Sequence, residues 1–426
     1  MQSPGLSFEQ APPISVPLRF FLTIPFFILA AAVLLLWAGP AALVVRQATA
    51  TLAVVHLFTL GVLSMAMCGA LMQMLPVVAG APIKKPQLVA WLVHLNLVAG
   101  TILLAIAFWQ ERGAVFLAAS IFLAVGFGVF LLAIGASGWQ VVTRNATTQA
   151  IGFAAFALSV TVIFGVCLAL YRGGVAIAAY VPLSALHPLW GLAGWIGLIL
   201  IGVAYQVVPM FQLTPNYPAL LSKWLAPAVF GLLLLQSLAV AMRLPHAVAY
   251  ASEFGLAAVL IGFALTTLRL HQRRRRRQTD ATLLFWRVSM LSLTAAITLW
   301  EAANVLPSGW RAKLELSVGI LMIVGFALGA INGMLYKIVP FLIWFHLQSR
   351  LLGKRSVPNM KEILPEAWAR RQWYLYLAAL AMLLAALVLP PLVYPAAILL
   401  GVSALVLWHN LLRAIFHYRR IDQEIG

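Results

Sequence analysis

Three histidines sit in stretches apolar enough to lie in lipid: His56 in "VVHLFTLG", His187 in "SALHPLWGLAGW" and His94 in "WLVHLNLVAG". An ionisable side chain at membrane depth is costly unless it faces protein or water, so it marks an internal site by default. Two readings are open for each imidazole: a metal ligand, or a ring hydrogen-bonded to a neighbouring helix. For His187 the following proline adds a third, since His-Pro is ordinary chemistry at a helix start. His246 and Glu253 stand seven residues apart, which places both on one helical face with Tyr250 between them. Met67 and Met74 fall on the face of His56; thioethers suit Cu(I), and a methionine stripe also serves packing. The candidate metal ligands are therefore His56, His187, His246, Glu253 and Met67. His271, His346, His409 and His417 fall near the opposite side, where surface roles suffice. Glu301 and Glu315 flank one loop, and Glu315 is placed to pair with Arg311.

The elements that must position these groups are membrane helices. With 63% hydrophobic and 9% charged residues over 426 positions and a mean hydropathy of +1.00, the chain cannot be a water-soluble domain. About twelve runs are long enough to cross a bilayer core of roughly 30 Å. They lie near 17–38, 51–76, 87–108, 113–136, 151–171, 185–211, 222–242, 247–270, 282–303, 314–344, 372–391 and 394–415. The runs are continuous and lack the alternation of a barrel strand, so an all-α integral membrane protein is predicted, a single transmembrane domain over 1–426. The segment before the first run has no basic n-region and no small-residue cleavage site, so no signal peptide is expected.

Orientation follows from Lys and Arg. With both termini cytoplasmic, the inner side collects Lys84, Lys85, Arg144, Lys223, the Arg273 to Arg277 run, Arg350, Lys354, Arg355, Arg370 and Arg371, while the outer loops keep Arg46, Arg112, Arg172, Arg243, Arg311 and Lys313. The net charge of +18 is mostly topology. A five-arginine run between two membrane helices reads as an anchor on anionic lipid headgroups, and no nucleic-acid partner is expected. Cys68 and Cys167 form no paired motif, so neither a disulfide scaffold nor a thiolate zinc site is indicated.

Three of the runs repeat one pattern. "GVLSMAMCGALMQMLP" (Gly61 to Pro76), "GWIGLILIGVAYQVVP" (Gly194 to Pro209) and "GFALGAINGMLYKIVP" (Gly325 to Pro340) align without a gap. Each reads Gly, seven residues, Gly, six residues, Pro, with Met72, Tyr205 or Tyr336 four before the proline and Gln73, Gln206 or Lys337 three before it. Paired glycines let backbones approach closely in a membrane. The prolines are expected to end the helices near the inner surface, where Gln or Lys meets headgroups. Internal repeats near 17–136, 151–270 and 282–415, each of four helices, follow.

Twelve helices in three four-helix arcs, with histidines near the outer ends of helices two and six, resemble subunit I of the haem-copper oxidase superfamily. The stretch "HLFTLGVLSMAMCGALMQMLPV" is similar to the divergent NnrS-like members, haem- and copper-binding membrane proteins linked to nitric oxide stress. The resemblance implies haem b in the outer half with His56 as an axial ligand, His187 where a copper ligand from helix six would stand, and His94 as a secondary haem candidate. It also implies a bacterial inner-membrane location; a respiratory-chain or cytochrome partner is left unidentified. The departures matter as much. Helix seven, "KWLAPAVFGLLLLQSLAVAMRL", has no His, and helix ten lacks the His-x-His pair that would bind both haems. A binuclear oxygen-reducing site cannot be built in the usual way, so the resemblance points to redox or nitric-oxide-related stress chemistry. A cofactor-free transporter or membrane scaffold on the same fold is the alternative, and fold alone does not separate the two.

Overall fold

The structure is a computed structural model that describes residues 10–139, 144–275, 278–351 and 357–423. Every regular element among the described residues is helical. The long helices are α1 (Ser15–Ala38), α2 (Thr49–Ala79), α3 (Pro86–Gln110), α4 (Gly113–Gly138), α5 (Ala146–Arg172), α6 (Tyr180–Gln212), α7 (Ala219–Ala241), α8 (His246–Gln272), α9 (Ala281–Ala303), α10 (Ser308–Gln348), α11 (Glu366–Ala385) and α12 (Pro390–Ile421). All but α11 are long and apolar enough to cross a membrane, making eleven candidate spans among the described residues. The expected run at 372–391 becomes α11, which starts six residues earlier and carries Glu366, Arg370 and Arg371 in its first two turns. Those charges lower its hydropathy. Two of them form an ion pair, Arg370 Nε to Glu366 Oε1 at 3.3 Å.

The chain is a multi-pass membrane protein whose outer helices present large apolar side chains, among them Leu132, Ile163, Leu220 and Phe254, to the bilayer. In lipid no water can satisfy a peptide group, so each span closes its own backbone bonds as a helix. Three helices form the centre. The apolar windows of α2, α6 and α10 are 67%, 78% and 67% buried, against at most 56% for the others. Around them α3 packs on α4, α7 on α8 and α11 on α12; α4 meets α5, α8 meets α9, and α12 returns to α1, closing the ring.

The three central helices share one irregularity. Each contains a π-helical segment, Thr59–Ser64 in α2, Trp190–Gly197 in α6 and Leu321–Leu328 in α10. All three end three residues after the first glycine of the repeated pattern. Both glycines of each pattern face the preceding helix: Gly61 and Gly69 meet Phe27 and Phe20, Gly194 and Gly202 meet Ala157 and Ala150, and Gly325 and Gly333 meet Ser292 and Phe285. The partners are seven residues apart in every case, whereas the glycines are eight apart. One residue inserted by the π-turn accounts for the difference, since eight residues then cover the two turns that seven span in an α-helix. The carbonyls displaced by the π-turn of α10 are satisfied from outside: Ser289 donates to Phe326 O, and the Tyr376 hydroxyl lies 2.9 Å from the carbonyls of Val324 and Gly325.

The prolines do not end their helices. Pro76, Pro209 and Pro340 lie inside α2, α6 and α10, which run on to Ala79, Gln212 and Gln348. Neighbouring helices make a proline tolerable where an isolated helix would break. Two of the three polar residues that precede the prolines by three positions are turned inward: Gln73 is buried, and Lys337 Nζ pairs with Asp280 Oδ2 at 3.2 Å. Asp280 also caps α9 by accepting from Leu283 N, so one carboxylate fixes the start of α9 and ties it to α10.

Antiparallel alternation brings Lys84, Lys85, Arg144, Lys223, Arg273, Arg370 and Arg371 to one side, hereafter the basic face, and Arg46, Arg112, Arg172, Arg243, Arg311 and Lys313 to the other. Arg276, Arg277, Lys354 and Arg355 lie outside the described residues. Glu315 pairs with Arg311, as its spacing suggests, and also with Arg46, each at 3.2 Å.

A Cβ at Gly202 would stand 2.7 Å from Ala150 Cβ, whereas one at Gly128 meets nothing within 4 Å. Gly202→Leu is expected to cost at least about 1–3 kcal/mol by overpacking and to lower the midpoint for loss of monodisperse protein on heating in detergent; Gly128→Leu should leave that midpoint in place.

Candidate functional site

His56 and His187 come together. Each precedes the π-turn of its helix by three residues, Thr59 in α2 and Trp190 in α6, so both hang at one level on adjacent central helices. The level is fixed by contact between the π-turns themselves, where the Trp195 indole N–H donates to Ser64 Oγ at 3.1 Å. The third central helix contributes an apolar residue at the corresponding place, Val318, three before Leu321. The two imidazole rings have centroids 6.3 Å apart and planes 14° apart. They lie toward the face opposite the basic one, in the early turns of α2 and α6.

Both rings are anchored through the same nitrogen. His56 Nδ1–H donates to Leu52 O at 2.7 Å, one turn back on its own helix, and His187 Nδ1–H donates to Thr161 O on α5 at 3.1 Å. A carbonyl can only accept, so Nδ1 carries the proton in each neutral ring and Nε2 keeps its lone pair. A carbonyl that accepts from Nδ1–H fixes the ring and leaves Nε2 free to bind a metal. Phe108 covers His56 with ring centroids 5.1 Å apart. Gly165 on α5 leaves room for His187: a Cβ there would lie 3.1 Å from its Cε1.

The other candidates stand apart from this pair. His94 lies in the basic half of α3 with Nε2 2.8 Å from Thr23 Oγ1, and its ring meets the edge of Phe20 at 5.4 Å. Its ring is thus hydrogen-bonded to α1. His246 is the first residue of α8 and is exposed. Glu253, half-buried on α8, accepts from Gln236 Nε2 on α7 at 2.9 Å, and the Ser252 hydroxyl donates to Gln236 Oε1. Met67 is buried in α2 eleven residues beyond His56. Among the described residues no three His, Cys, Asp or Glu side chains converge as a metal site, so neither His246 nor Glu253 joins the two imidazoles.

The helpers of the pair carried little sequence signal. Thr161 acts through its carbonyl, which any residue could supply, and Gly165 and Phe108 are unremarkable in apolar runs. No known protein family matches the chain. No curated protein has detectable sequence similarity to it.

Gly165→Leu should push the His187 ring from its place and break its bond to Thr161. In ¹⁵N-histidine solid-state NMR the native protein is expected to show Nδ1-protonated neutral signals from both His56 and His187, and the variant to lose only the signal that His187→Ala removes.

Proposed function

We propose that the protein is a haem-binding membrane protein in which His56 and His187 would hold haem b through their Nε2 atoms. One observation carries the reading: two imidazoles on adjacent helices, each with Nδ1–H tied to a carbonyl, at a ring separation of 6.3 Å. With metal–nitrogen bonds of about 2 Å and each nitrogen about 1 Å from its ring centre, two imidazoles facing one ion stand about 6 Å apart. Donor number favours haem over a bare ion. A protein-only zinc or copper(II) site needs three or four ligands, and two imidazoles suffice where a porphyrin supplies the other four nitrogens. Bound there, haem b would supply one-electron transfer or the binding of a small gas. The chain's own part is to hold both rings in one tautomer, to cover them with Phe108 and the π-turn packing, and to keep the site away from the basic face.

The reading agrees with a divergent, NnrS-like relative of the haem-copper oxidases acting in redox or nitric-oxide-related stress response. In support stand the three glycine pairs, the three equivalent π-turns and the closed ring of outer helices, all of which suit three quasi-equivalent four-helix units. The absence of histidine from α7 speaks against an oxygen-reducing copper centre. Copper binding is the lesser reading, since Met67 stands three turns from His56. We assign the basic face to the cytoplasm of a bacterial inner membrane, with both termini inside, on the positive-inside rule.

Protein expressed with ample haem and purified in mild detergent should give a Soret band and a b-type pyridine haemochrome at one haem per chain. His56→Ala and His187→Ala should each abolish or shift the band, because helices tolerate alanine well, and His94→Ala should leave it. A colourless wild-type protein would overturn the assignment and favour the cofactor-free scaffold. For orientation, fusions truncated within 271–280 are expected to fluoresce with green fluorescent protein and to be inactive with alkaline phosphatase; the reverse signs would invert the topology.

A further inference from the structure

A cleft of about 990 Å³ opens between α4 and α5 toward the basic face, reaching α7 at one side. It is as large as the sites that take drug-sized ligands, roughly 300–1,000 Å³. Its wall is largely apolar, with Leu131, Ile134 and Ile151 set among glycines. Gly135, Gly138 and Gly152 line it, and a Cβ at any of the three would meet nothing within 4 Å. Phe156, half exposed, stands deeper, with Ser159 beyond it. The mouth has the opposite character. Arg144 and Lys223, both exposed, stand there beside the N-terminus of α5, whose Asn145 cap and Thr148 form a reciprocal capping box. Among the described residues no acidic side chain lines the cleft. Lys223 Nζ lies 5.4 Å from the ring of Trp224, an exposed aromatic at the level where membrane and water meet.

We propose that this cleft holds one anionic phospholipid of the leaflet on the basic face, with its phosphate between Arg144 and Lys223 and an acyl chain along Gly138, Gly135 and Gly152. Charge complementarity selects the occupant. Two cations and the positive end of a 27-residue helix face one end of the cleft with no carboxylate to neutralise them. The apolar length beneath them suits a hydrocarbon chain and offers a free phosphate nothing. The lipid would fill the seam on the membrane-facing side where α4 meets α5. It is distinct from the arginine run after α8 and independent of the haem reading.

The test is lipid retention by the full chain, extracted in mild detergent, washed, and analysed for bound phospholipid by quantitative mass spectrometry. Wild-type protein should keep about one phosphatidylglycerol per chain after exchange into mixed micelles holding equal phosphatidylglycerol and phosphatidylethanolamine. The double variant Arg144→Gln with Lys223→Gln should lose that preference about 25-fold, at roughly fivefold per interfacial cation. Gly152→Leu keeps both cations and fills the cleft, and should empty it of either lipid. Arg273→Gln with Arg275→Gln should change nothing. Equal retention of the two lipids by wild type, unchanged retention in either cleft variant, or loss caused by the Arg273 and Arg275 changes would each overturn the proposal.

Discussion

Contact between bare backbone and side chain at six glycines is the constraint on which the rest depends. In lipid there is no hydrophobic force to press helices together, so their association rests on close van der Waals packing and on polar contacts between them. Here α2, α6 and α10 each lie against a preceding helix at two points two turns apart, and at five of these six points an added Cβ would come within 2.5–2.9 Å of an atom already there, with Phe27 filling the sixth still more tightly. Such contacts leave no freedom to slide. The π-turn is what allows both glycines of a pair to meet their partners at once, because it takes up the eighth residue without adding length.

The same packing determines where chemistry can occur. A π-turn redirects the helix that carries it, and here three such turns pack on one another at the centre. The helical turns just before them carry His56 and His187, so the position of each ring is inherited from the register of the glycine contacts several residues away. Val318 takes the corresponding place on α10, and only two of the three central helices offer an imidazole at that level. A pair rather than a triad follows from that substitution alone.

Much of this was legible in the sequence. Hydropathy gives the spans because lipid forces each one to be a helix, and the glycine spacing marks the points at which α2, α6 and α10 meet the helices before them. Other features were hidden for physical reasons. A π-turn is one inserted residue, visible only when the spacing of the partners, Phe20 and Phe27 for example, is known. Proline reads as a helix end because an isolated helix would end there, yet Pro76, Pro209 and Pro340 are held by neighbours. Lys337 reads as a headgroup contact until Asp280, 57 residues before it, is brought alongside. His94 and His56 both sit in apolar runs, and the sequence does not show that one meets a hydroxyl, Thr23, and the other a second imidazole, His187.

The two imidazoles are held with unequal stiffness. His56 is tethered to Leu52 on its own helix, so its ring moves as one body with α2. His187 is tethered to Thr161 on a different helix, and Gly165, one turn further along α5, supports the ring only as long as α5 and α6 stay in contact. A small separation of those two helices therefore releases the His187 ring to rotate while His56 remains aligned. The pair behaves as a fixed jaw and a hinged one, and the compliance of the hinged side is controlled from the lipid-facing layer of the bundle.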